Sequence, residues 1–150
     1  MPLPWLAARL LVASTLAAPG GNVCEFRIEA DDALRFSPNR VEVPGVCPDV
    51  TVTVHHAGRP DQAVTSHNWV LTREQDRAAV IADGLRAGMD RNYVARGDHR
   101  ILGATALVKA GQRGAVTFST LSLRAGEPYV YFCSYPGHGE HQTGRLVVNP

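Results

Sequence analysis

From residue 24 onward the chain is divided into short runs in which apolar and polar residues alternate, each closed by Gly, Pro or Asp. In "CEFRIEA" (24–30), Phe26 and Ile28 fall on one face, and Glu25, Arg27 and Glu29 on the other. "RVEV" (40–43) and "DVTVTVHH" (49–56) keep the same period, so Val50, Val52 and Val54 share a face. "HNWVLT", "ATALV", "AVTFSTL", "PYVYFC" and "GRLVV" are further β-rich runs. A period of two is the signature of a strand with one buried face, because successive side chains point to opposite sides. Many short strands at this spacing predict an all-β sandwich or barrel.

One segment breaks the pattern. "TREQDRAAVIADGL" (72–85) places Thr72 and Gln75 as a capping box, with Ala79, Val80 and Leu85 near one helical face. It predicts a short helix over about 73–83, stopped at Gly84. A long loop follows through "RAGMDRNYVARGDHR".

The first twenty residues read as a signal peptide. Arg9 precedes an apolar run from Leu10 to Ala18 and a small-residue, Pro/Gly exit. That run is too short to serve as a membrane anchor. Residues 21–150 then form one domain, a length that supports a single core. Removing the leader takes Arg9 and no acid, leaving 14 basic residues against 14 acidic ones. Such a balance provides no general field for nucleic acid or an anionic membrane.

Export implies an oxidising compartment. Cys24 and Cys47 both border strand-like runs, and if paired they would close a loop worth about 3–4 kcal/mol of chain entropy. Cys133 is then left over, as a free thiol, an intermolecular bridge or a metal ligand. It sits in "CSYPGHGEHQTG" (133–144), at the end of a strand where a loop begins. Pro136 and Gly137 make a turn that returns His138 towards the sulfur. Alone, this pair also reads as an inert thiol beside a surface histidine. His67, opening another strand, supplies a second imidazole. Two imidazoles and a thiolate are a soft three-ligand set suited to copper, with Gln142 in position as a weak fourth ligand. A Cys133/His138 nucleophile pair is the other chemistry these residues could support, but no oxyanion hole or substrate pocket accompanies it. We therefore read the chain as a non-enzyme.

With "HNWVL", "DGLRAGMDRNY" and "YFCSYPGH", the chain from Cys24 to about Val148 resembles the azurin family of blue-copper proteins, or cupredoxins. The resemblance implies a Greek-key β-sandwich of about eight strands with one inserted helix, and a Cys24/Cys47 disulfide. It makes His67, Cys133 and His138 the equatorial ligands of one type 1 copper, with Asn68 steadying the loop and the thiolate and Trp69 adjoining the core. Two positions depart from the family pattern. Gln142 stands where azurins place methionine. Ser66 stands where they place the glycine whose carbonyl approaches the metal from the opposite side. The resemblance makes His56 a buried, hydrogen-bonded neighbour of the site; His55 points the other way, His99 lies in a polar loop and His141 lies at the rim. The implied function is electron transfer in the periplasm by a monomer that docks on redox partner proteins, with His138 as the electron's exit. The alternative is copper storage or delivery. The docking patch would comprise Pro60, Val64, Leu85, Tyr135 and Pro136, made more polar by Thr65, Glu140 and His141.

Overall fold

The structure is a computed structural model and describes residues 24–62 and 66–150. The leader read over residues 1–20, and Val64 and Thr65 of the docking patch, lie outside the described residues. Among the described residues, nine strands form two sheets that face each other. One sheet contains β1 (Glu25–Ala30), β2 (Phe36–Ser37), β4 (Asp49–His56) and β7 (Arg113–Ser119), in the order β2-β1-β4-β7. The other contains β3 (Arg40–Val43), β5 (Val70–Arg73), β6 (Gly103–Ala104), β8 (Tyr129–Phe132) and β9 (Thr143–Val148), in the order β3-β9-β8-β5-β6. Pairing is antiparallel except for β1 with β4 and β3 with β9. Eight of the nine strands overlap runs identified from the sequence, β6 by a single residue, Ala104. The ninth, β2, has two residues, too few for a period of two to show.

The alternation translates directly into burial. Val50, Val52 and Val54 on β4 are fully buried, as is Ile28 on β1, while Glu25, Arg27 and Glu29 face solvent. Each such side chain contributes about 1.5–3 kcal/mol by leaving water. Trp69 is fully buried between the sheets, its ring 5.8 Å from that of Phe118 and 5.5 Å from that of Tyr131. The Cys24–Cys47 disulfide ties the start of β1 to the turn before β4. No helix among the described residues is long and apolar enough to cross a membrane.

The helix differs from its expected position. A single 3₁₀ turn covers Glu74–Asp76, and α1 runs from Arg77 to Ala87. The capping box does not form: Thr72 Oγ1 donates to the Arg73 carbonyl at 2.9 Å, and the residue that starts the helix, Asp76, makes no side-chain cap. Gly84 does not stop the helix either. It is buried inside α1, where a Cβ would overlap the Tyr93 carbonyl, so glycine here lets the following loop lie against the helix. The stop is Gly88, at φ 78°, a left-handed value that favours glycine. Ala79 and Leu85 point outward; Val80, Ile81 and Gly84 form the inward face, against Val70, Val130 and Phe132.

Candidate metal centre

Two neighbouring strands bring the site together. β5 pairs with β8 through Val70 and Phe132. His67, three residues before Val70, and Cys133, directly after Phe132, therefore emerge at the same end of the sheet. His67 is held in place by paired backbone bonds with Val108, 3.0 Å and 2.7 Å long.

The loop from Cys133 to Gln142 closes on itself. The Cys133 N–H donates to the Gln142 carbonyl at 3.1 Å, and the N–H groups of His141 and Gln142 both donate to the His138 carbonyl at 2.9 Å. Gly137 at φ 81° makes the turn, and His138 N–H donates to the Tyr135 carbonyl at 3.0 Å. The result places Cys133 Sγ 3.5 Å from His138 Nδ1 and 4.0 Å from His67 Nδ1. One donor atom from each of the three residues lies within 4.8 Å of the others, and all three residues are buried.

Burial governs the electrostatics. It pushes the Cys133 thiol up to about 11, against backbone N–H groups of Asn68 and Tyr135 that favour the thiolate. It also lowers His67 to about 4, with help from the positive forms of His56 and His138, and it lowers His138. Both imidazoles are thus neutral at pH 7, with lone pairs free to ligate. The protonated thiol needs a cation to replace its proton, and a metal does that outright. Gln142 is fully buried; its Nε2 makes one long contact, 3.4 Å, to the Arg35 carbonyl, and its Oε1 has no hydrogen-bond partner. The amide nevertheless lies close enough to both imidazoles to favour their protonated forms. An orphan oxygen beside a thiol and two neutral imidazoles is a donor set that fits copper.

The surrounding shell is hydrogen-bonded. Asn68 Oδ1 accepts the Ser134 N–H at 2.8 Å, and Asn68 Nδ2 donates to Ser134 Oγ at 2.8 Å and to the Asn92 carbonyl at 2.9 Å. Asn92 Oδ1 in turn accepts the Leu107 N–H at 3.0 Å. Sequence reasoning missed Asn92 and Ser134. The only local signal was asparagine's tolerance of the left-handed region, where Asn92 sits at φ 55°. His56 is buried beside His67, while His99 and His141 are exposed. Tyr135 packs against His138 with ring centroids 4.8 Å apart and the planes tilted by 42°, and His138 is 5% exposed, so it is more enclosed than the expected surface exit. Ser66, half-buried, directly precedes His67.

Comparison with known proteins gives one answer. The family model for copper binding proteins of the plastocyanin/azurin family matches residues 22–149. Azurin of Pseudomonas denitrificans is 39% identical over 125 residues, spanning 83% of this chain and 98% of that protein. Azurin of Achromobacter denitrificans is 39% identical over 126 residues, spanning 84% and 85%. The solved structure of an azurin from Methylomonas sp. strain J superimposes with a TM-score of 0.81 at 35% identity, covering 85% of this chain and 98% of the other. The chain belongs to the plastocyanin/azurin family of copper binding proteins.

Proposed function

We propose that this chain is a periplasmic electron carrier with a single type 1 copper held by His67 Nδ1, Cys133 Sγ and His138 Nδ1. Gln142 Oε1 would be a weaker fourth donor, and the Ser66 carbonyl oxygen a further one. Copper bound there supplies one-electron chemistry between Cu(II) and Cu(I). The protein's own contribution is a ligand set that stays in place when the charge changes. His67 is fixed by its bridge to Val108, Cys133 by the Asn68–Ser134 bonds, and His138 by the closed 133–142 loop. The single observation that carries this reading is the convergence of a buried thiol and two neutral imidazoles within 4.8 Å.

Enclosure of all three donors argues against copper storage or delivery, which requires a donor that an acceptor protein can reach. Tyr135 packs against His138, which is 5% exposed, so the electron would leave by this edge of the site. The experiment is a visible and EPR spectrum of the copper-loaded protein and of Cys133→Ser. We expect intense thiolate-to-copper absorption in the first and none in the second, with the fold retained. Absorption persisting without the thiol would overturn the site. Rapid loss of copper to a Cu(I) chelator, with no reversible redox wave, would overturn the carrier reading in favour of delivery.

A further inference from the structure

One cluster beside the site, the buried His56 with the exposed Asp32, is not used by the ligand set. β4 ends at His56, whose ring is 2% exposed and meets the His67 ring edge-on, with centroids 4.3 Å apart. His56 Nε2 lies 3.3 Å from Asp32 Oδ1, and Asp32 Oδ2 accepts the Arg59 N–H at 2.9 Å. Gly58 closes a third side, where a Cβ would overlap both Asp32 Oδ1 and His56 Nε2. Asp32 is itself exposed, and its carboxylate is held by one stretch of the chain, residues 56–59. The Arg59 N–H also keeps its pKa below the usual carboxylate value, so it is charged at neutral pH.

An ionised carboxylate only accepts hydrogen bonds. Asp32 accordingly selects the His56 tautomer that carries its proton on Nε2. One donor atom from each of Asp32, His56 and His67 lies within 4.8 Å of the others. In His67, Nδ1 is the nitrogen that faces the thiol. The other, Nε2, is buried with no hydrogen-bond partner, and so is His56 Nδ1. An imidazole that binds a metal through Nδ1 carries its remaining proton on Nε2. Negative charge near that N–H makes the ligand a stronger donor and fixes its orientation.

We propose that Asp32, acting through His56, is a positioning residue for His67 and holds the copper potential down. This rests on the assignment of His67 as a ligand. Asp32→Asn is the informative change, because it preserves the shape and an acceptor oxygen while removing the charge. The comparison variant is Glu42→Gln, which removes one carboxylate from an exposed position on β3, in the other sheet. Relative to that variant, Asp32→Asn should shift the Cu(II)/Cu(I) equilibrium about threefold towards Cu(I), a rise of roughly 30 mV at 59 mV per tenfold change. The intense visible band should remain, and Asp32→Glu should return the potential towards its original value. A potential equal to that of Glu42→Gln, with only the unfolding midpoint lowered, would make Asp32 structural and overturn the proposal.

A second measurement needs no copper. Imidazole 15N spectra of the metal-free, unaltered protein should show His56 protonated at Nε2; protonation at Nδ1 would overturn the proposal even if Asp32→Asn failed to fold. Loss of the copper reading itself would show differently, as an unaltered protein with no intense visible band.

Discussion

Gln142→Met separates two effects with opposite signs. In the metal-free protein Gln142 is fully buried, its Oε1 lacks a partner and its Nε2 makes only one long contact, to Arg35. A buried acceptor left unsatisfied costs about 1–3 kcal/mol, while a hydrogen bond that long returns at most about 0.5 kcal/mol. Methionine has no amide to satisfy and fills similar space, so the metal-free variant should be more stable by about 1 kcal/mol. For a chain of this size that raises the unfolding midpoint by roughly 3–6 °C. With copper bound the balance reverses. The amide oxygen is a harder donor than a thioether and favours Cu(II); on the scale of a charge-assisted contact this is worth about 1.5–3 kcal/mol. The variant's potential should therefore rise by roughly 60–130 mV for one electron. Its spectrum should also move from green towards blue, as weaker axial binding lets the Cys133 bond shorten. Voltammetry, visible spectroscopy and thermal unfolding of metal-free and loaded samples from one preparation test all of this. A potential that stays put or falls would remove Gln142 from the axial position and turn attention to Glu140, His141 or the Ser66 carbonyl. A metal-free variant less stable than its parent would refute the orphan-oxygen argument.

Three further outcomes follow from the same geometry. Asn68→Ala leaves the Ser134 N–H without its partner and Ser134 Oγ with only the Asn92 carbonyl at 3.4 Å, and should cost about 1–3 kcal/mol and broaden the visible band; thermal unfolding with an unchanged midpoint would contradict this. His67 titrates at about 4 in the fold against 6.5 when exposed, so between those values the unfolded chain binds a proton that the fold refuses. The metal-free protein should hold its full midpoint above pH 6.5 and lose it as the pH falls towards 4, with a slope reduced in His67→Asn; a flat profile over that range would count against the buried neutral imidazole. Glu140 is exposed beside the His138 loop, so electron exchange with a charged partner should depend on ionic strength and less so after Glu140→Gln, as stopped-flow mixing would show.

What the sequence disclosed and what it concealed divide along a physical line. A strand announces itself within six or eight residues, because its period of two is local; Val50, Val52 and Val54 were legible for that reason, and all three are fully buried. The candidate donors were legible only together: Cys133 and His138 alone also read as an inert pair, and His67 made the set, which the structure brings within 4.8 Å. Gly84 shows where local reading fails. Within its own segment it looks like a helix stop, yet its role is set by the Tyr93 carbonyl that crosses it, a contact that depends on how the next loop returns. Asn92 and Asp32 failed to show for the same reason. Each acts on a residue 24 positions away, Asn92 on Asn68 and Asp32 on His56, and nothing in the composition of either segment encodes the meeting. Groups that could hold a metal can therefore be picked out by residue type, whereas those that would tune it are fixed by tertiary placement. If Asp32 and Gln142 act as proposed, two azurin-like sites with the same three ligands would differ in potential, and motif matching alone would rank them as equal.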